Sequence, residues 1–260
     1  MALPSFISAG PGVALGTAVT VAWPIGVHQA GDLGILPVQT ANQTPANNPP
    51  SEWLEAPSSP QSTGTAGAAG AVRFTAYYRF ATSDAEADVS IGDSGDHQLA
   101  RILVFRGVGQ SSPFDTSAGT IASTSTTAIA IPGGTTTGDD RLILLIAAHA
   151  DDSGVAHFSA WANADLANVG EVLENNTTAG TGGGFGIASG EMAVAGSYGT
   201  TTATLVNGSP QAVMMLALAP PAPSAGESPS WVRPVATRLV SVSAATVGMP
   251  WVRPGRTSLG

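Results

Sequence analysis

An all-β fold, an antiparallel β-sandwich of jelly-roll type with an extended C-terminal arm, is what this sequence predicts. Three observations carry the prediction. Apolar residues recur at every second position in most segments, the period of a strand rather than a helix. Clusters of Gly, Pro, Asn and Asp separate those segments. No window pairs a helical apolar stripe with helix caps. The 260 residues include 32 Gly and only 10% charged residues, yet 43% are hydrophobic, so the chain can build a core and is not a disordered segment.

The elements follow in order. TAVTVAW (17–23) alternates around Val. AVRFTAYYRF (71–80) does the same with larger side chains, and its alternation sends Tyr77 and Tyr78 to opposite faces. ARILVFRGV (100–108) and TTAIAI (126–131) read as strands, and so does the continuously apolar RLILLIAAHA (141–150). Short helical turns are expected near Ser83–Ala87 and Asn163–Val169. In all, about ten to twelve short strands fill residues 1–220, the length of one large β domain. Pro220, Pro221 and Pro223 then end the last strand. Residues 221–230 read as a semi-rigid linker, and 231–260 as a docking arm with a strand at Leu239–Val247.

The chain also resembles itself. TAVTVAWP followed by GDLGILPVQTA parallels TTAIAIPG followed by GDDRLILLIAAHA. Leu54-Glu55, a small-residue loop and AVRFTAYYRFA parallel Leu173-Glu174, TTAGTGGG and FGIASGEMA. DVSIGDSGDHQLARILVFRG parallels TATLVNGSPQAVMMLALAP. The shared order predicts two duplicated half-units, about 17–108 and 126–219, that bury their apolar faces against each other.

Composition excludes several functions. With no Cys there are no disulfides and no thiolate metal sites. All nine basic residues are Arg. Residues 1–220 hold five Arg and seventeen acids, a net −12, while residues 221–260 hold four Arg and Glu227, a net +3. An acidic body is unsuited to nucleic acid. The basic tail suits an acidic protein surface, such as another copy of this body. The longest apolar runs are too short to span a bilayer, so no membrane insertion is expected. MALPSFISAG lacks the charged start and long apolar core of a signal peptide, which predicts synthesis in a cytoplasm without export.

Several motifs invite chemistry. GDSG at Gly92–Gly95 resembles the nucleophile run of chymotrypsin-like proteases, but the next residue is Asp96 rather than Gly. His149 lies downstream of Ser94, and His28 lacks the family's context, so a turn entering a strand is the simpler reading. The pairs Asp93/Asp96, Asp139/Asp140 and Asp151/Asp152 offer oxygen ligands to Ca²⁺ without the spacing of a Ca²⁺ loop. His28, His97, His149 and His157 show no metal-ligand spacing, although His149 and His157 are placed to approach each other across a strand connection. TAGTGGGFG (178–186) lacks the Lys and helix of a phosphate loop and reads as a hairpin or a close backbone contact. Trp53, Trp161, Tyr77 and Tyr78 are candidates for a sugar-stacking platform. No nucleophile with base and oxyanion donor assembles, nor a glycosidase carboxylate pair, so neither enzyme activity nor a cofactor is expected.

The run from PSFISAG through GDLGILPVQTANQTP and WLEAPSSPQSTGT to IGDSGDHQLARILVFRGV resembles a group of tailed-bacteriophage virion proteins. AWANADLANVGEVLENNTTAGTGGGFGIASGEMAVAG does so too, and together the likeness spans roughly residues 4–220. Such proteins are minor tail, tail-fibre or head-decoration proteins. The resemblance implies a non-enzymatic structural module on the virion exterior, made in the host bacterial cytoplasm. It implies partners among other capsid or tail proteins and copies of itself in a homo-oligomer. A host-surface glycan is the alternative partner, for an adhesin acting in host attachment.

The tail lies outside that resemblance. It carries WVRP twice, at Trp231–Pro234 and Trp251–Pro254. Pro holds the preceding Arg extended, and Trp and Arg are residue types enriched where binding energy concentrates. Trp231, Arg233, Pro234 and Arg238, with Trp251, Arg253, Pro254 and Arg256, are therefore the expected partner-binding residues.

Overall fold

The computed structural model describes residues 2–222. Of the expected arm only Pro221 and Ala222 are included, so the WVRP anchors lie outside the described residues.

Ten strands come from the first half of the chain. They are β1 (Ser5–Ala9), β2 (Val13–Leu15), β3 (Val19–Val21), β4 (Leu33–Thr40), β5 (Leu54–Glu55), β6 (Gln61–Thr63), β7 (Val72–Phe80), β8 (Val89–Ile91), β9 (Gln98–Ala100) and β10 (Leu103–Arg106). Eight come from the described part of the second. They are β11 (Phe114–Ile131), β12 (Gly134–Thr135), β13 (Arg141–His149), β14 (Phe158–Ala162), β15 (Ala167–Thr177), β16 (Gly183–Met192), β17 (Ser197–Tyr198) and β18 (Thr201–Leu218). No helix occurs among the described residues.

Two large antiparallel sheets result, an all-β arrangement of the sandwich kind. The first runs β1-β10-β4-β7-β5, with β6 added to β7 and with β9 beside β4 and β2. The second runs β11-β18-β13-β16-β15, with β14 added to β18. Each half of the chain thus supplies one whole sheet. In a jelly roll successive strands alternate between the layers, so the connectivity departs from that part of the expectation. Every pairing in the two large sheets stays within its own half, although partners such as β1 and β10 or β11 and β18 are far apart in sequence.

Alternation sorts the side chains onto two buried faces per sheet. Leu33, Ile35, Phe74 and Phe105 of the first sheet meet Leu144, Ile146, Phe185 and Met214 of the second in one core. Phe74 and Phe185 touch edge to face with centroids 5.9 Å apart. The outer faces are covered as well. The β3–β8 ribbon, with Trp23 and Trp53, lies on Leu36, Val38, Tyr77 and Val104. On the second sheet, Ile129, Ile131, Leu205 and Phe158 lie on Ile143, Leu145, Val213 and Met215. Covering on both faces explains why RLILLIAAH is continuously apolar rather than alternating.

The strands β11 and β18 build both layers of their half. They pair from Phe114↔Leu218 to Ile131↔Thr201, with register shifts between Ala122 and Ala128. On the Phe114–Leu218 side of the bulges they belong to the inner sheet, and on the Ile131–Thr201 side to the outer layer. Bulges bend a strand in this way. The expected helical turns are absent for local reasons. At 82–86 the Glu86 carboxylate accepts the Ser83 N–H and the Thr82 hydroxyl but also pairs with Arg79 at 2.8 Å, and the chain makes only bends. At 163–165 the Asn163 side chain accepts the Asp165 N–H at 2.8 Å, an Asx turn that leads into β15.

Candidate functional site

The loops 92–97, 150–157 and 178–182 gather at one end of the two sheets. Here polar side chains join segments far apart in sequence. The Asp96 carboxylate accepts the Thr181 N–H at 2.9 Å and its hydroxyl at 3.0 Å. Arg101 donates to the Gly10 carbonyl at 2.6 Å and to Asn175 Oδ1 at 3.1 Å. His97 is fully buried, with Nε2 3.1 Å from Gln39 Oε1. Burial holds its pKa below the ordinary value against the pull of Asp96.

The glycine-rich stretch makes this junction possible. Gly182 sits at φ 69°, and a Cβ on it would lie 2.4 Å from the Asp152 Cα. Only glycine allows that turn and that approach together. Both readings of TAGTGGGFG hold: residues 178–182 close the β15–β16 hairpin, where Thr177 faces Gly183, and Gly182 makes the close contact.

Beside it, His149 and His157 stack with centroids 4.8 Å apart and planes 15° from parallel. His149 Nδ1 accepts the Asp151 N–H at 3.1 Å, so Nε2 carries the proton and donates to Asn176 Oδ1 at 2.9 Å. Burial, opposed by the Asn176 hydrogen bond and aided by the charge of His157, pushes the His149 pKa down to about 4. His157 places Nδ1 2.7 Å from the Val155 carbonyl and Nε2 2.5 Å from Asp151 Oδ2. Burial pushes the Asp151 carboxyl up, but hydrogen bonds from Asn207 and His157 outweigh it and hold it below the usual range. Glu174 accepts the backbone N–H groups of His157 and Phe158 and the Asn176 amide.

A cavity of about 410 Å³ opens next to this cluster, bordered by Gly12, Leu99, Ala156, Glu174 and Asn176. The groups beside it are already engaged with one another, so the arrangement fastens loops. Among the described residues no group of three His, Asp or Glu is placed to hold a metal ion.

The other sequence candidates scatter. The Ser94 hydroxyl donates to the His97 carbonyl at 3.1 Å, the turn expected of GDSG. His28 stands apart, with Nδ1 2.8 Å from the Pro24 carbonyl. Asp93 accepts the Gly95 N–H and Asp139 the Ala195 N–H, each at 2.8 Å. Trp53 is buried against Trp23, and Tyr77 is buried with its hydroxyl on Asn48. Tyr78 packs edge-on against Phe114. The two tyrosines do face opposite ways, into different cores.

Comparison with family models, with curated proteins and with solved structures finds no match to the chain.

Trp161 remains from the aromatic set. It is half-buried on β14, stacked on Phe158 with centroids 5.7 Å apart. Its indole N–H donates to Glu171 Oε2 at 3.0 Å, which fixes the ring. It borders an open cleft of about 560 Å³ with Asn163, Leu166, Val169, Thr200 and Thr202. Sequence reading missed Glu171, Glu174 and Asn176, because LENN looks like the start of a loop. In the structure these residues belong to the eleven-residue β15, at the sheet's edge.

Proposed function

We propose that this chain is a non-enzymatic structural protein of a tailed-phage virion, exposed on the particle exterior and held there by its C-terminal arm. A tail tip or fibre and a capsid decoration are both compatible with it. The observation that carries the reading is the use made of charge in the body. All five Arg there are engaged within the fold. Arg106 makes a bidentate pair with Asp32, at 2.9 and 2.7 Å. Arg141 pairs with Asp115 at 2.8 Å, and Arg79 with Glu52 and Glu86. Arg101 and Arg73 donate to neighbouring polar groups. Charges that join remote segments favour a rigid, durable body and leave no basic face for nucleic acid.

Descent from a duplicated half-unit accompanies this reading. It is supported by the matching strand order of the two sheets and by one repeated hydrogen bond. The buried Gln98 donates Nε2–H to the Thr17 carbonyl at 2.6 Å, and the buried Gln211 donates to the Thr126 carbonyl at 2.8 Å. Gln98 pairs with the last residue of β4, and Gln211 with the last residue of β13. In both halves the bond ties the outer ribbon to the inner sheet.

Deletion of residues 221–260 tests the anchoring. The truncated body should fold as the full chain does and be missing from purified particles. Normal occupancy of the truncated body would overturn the reading. A second reading, a carbohydrate-binding adhesin, is favoured by the open cleft at Trp161.

A further inference from the structure

We propose that the cleft at Trp161 binds a neutral pyranose unit of a polysaccharide, with the indole as its stacking platform. The proposal rests on the adhesin reading and gives it a location.

The backbone on both sides of the cleft is bent out of regular strand. β14 slips register against β18 between Ser159 and Ala162, and Ala160 in that slip has φ 54°. β15 slips against β16 between Ala167 and Gly170, and Asn168 there has φ 52°. Asn tolerates the left-handed region, and Asn168 is tied to Glu191 at 2.9 Å. Ala does not tolerate it, and here it directly precedes Trp161. Bulges re-aim side chains, and left-handed non-glycine residues gather where a site needs them. Residues of both slips line one cleft, Trp161 and Ala162 from one and Val169 from the other, and the ring is held by Glu171 and Phe158.

The chemistry of the lining selects the ligand. A tryptophan ring offers a flat, electron-rich face suited to the C–H face of a sugar ring. Thr200 and Thr202 line the cleft too, Thr202 paired with Ala162 beside the ring, and the Glu171 carboxylate, which holds the indole through one oxygen, stands next to it, so polar groups accompany the apolar lining. No basic side chain lines the cleft among the described residues, and Glu171, Asp165 and Glu191 stand near it. An anionic ligand is therefore disfavoured, and an uncharged polyol fits.

The test is titration of the full chain with hexasaccharides of glucose, mannose, galactose and xylose, with a uronate hexasaccharide as the charged control. Calorimetry and the indole N–H resonances report binding. At least one neutral sugar should bind saturably and shift the Trp161 indole signal, while the uronate should not bind. Trp161→Ala should weaken binding about tenfold or more, and Trp161→Phe, which keeps the stack on Phe158, less. Ala160→Gly should weaken binding without lowering the melting temperature, because it frees the ring's aim and not the fold. Binding that survives in Trp161→Ala would overturn the location and leave the adhesin reading standing. Silence of the full chain toward every neutral sugar would overturn both.

Discussion

On the outer face of the first sheet, Trp23 and Trp53 pack with centroids 5.6 Å apart, tilted 34° to each other, and both are buried. On the outer face of the second, Trp161 stacks on Phe158 and stays half exposed. The parts are alike: an inner sheet, a ribbon folded over it, aromatic rings between or beside them. The delivery differs. Trp53 arrives at the end of the loop that joins β4 to β5, free to turn its ring inward. Trp161 arrives on β14 inside its register slip against β18, and the bulge at Ala160 sets which way its ring points. A ring carried by a loop can be drawn into the core, whereas a ring carried at a bulge between fixed pairs goes where the bend sends it.

The largest expected effect probes the core the two halves share. Phe74→Ala and Phe185→Ala should each remove about 3–5 kcal/mol of stability, read by urea unfolding. Equal losses sharpen the comparison, and a mild loss on one side only would break it.

Next comes acid. The His149 ring titrates near 6.5 in an unfolded chain and at about 4 in the fold. Between those values the unfolded chain binds the proton and the native protein does not, so stability falls as pH drops from about 6.5 to 4, by up to about 3 kcal/mol. Below that window the lowered carboxyls of Asp115 and Asp151 take up protons and remove more. His149→Gln should flatten the upper part of the profile. His97, also lowered, keeps some slope. An unchanged slope in His149→Gln would exclude that ring as the source.

The repeated hydrogen bond ranks third. Gln98→Ala and Gln211→Ala should each lose about 1–3 kcal/mol, the range for a buried hydrogen bond broken on one side. Losses differing by more than about twofold would argue that the two bonds are not equivalent. The smallest effect is a gain. Ala160→Gly should be neutral or up to about 1 kcal/mol more stable, since glycine enters the left-handed region freely. A clear loss of stability would mean that Ala160 is not strained.

Much of the architecture was legible in the sequence. The expected strands at 71–80 and 141–150 match β7 and β13 to within a residue at each end, because their apolar side chains are buried on both faces. The strand expected at 126–131 is only the last third of β11. Its earlier residues, FDTSAGTIASTS, leave no apolar alternation, since they are held by pairing and are largely open to solvent on their faces. The functional surface was less legible. Trp161 was one of four aromatic candidates, and nothing local to its sequence separates it from the buried Trp53. What separates them is a bulge at Ala160, and a positive φ at alanine leaves no mark in composition or period. The meeting of His149 with His157 was foreseeable from their spacing across one connection, whereas Glu174 and Asn176 needed the edge strand to be known first.

β18 has one more consequence. It is held by β11 along one edge and by β13 along the other, and the chain leaves it through Leu218 toward Ala222. Ladder hydrogen bonds run across the strands. A force entering at Ala222 and directed along β18 therefore loads both ladders in shear, all at once, instead of unzipping them bond by bond. The strand through which the body meets its tail is the one best fixed to bear tension, and it stands between that tension and both cores of the second sheet.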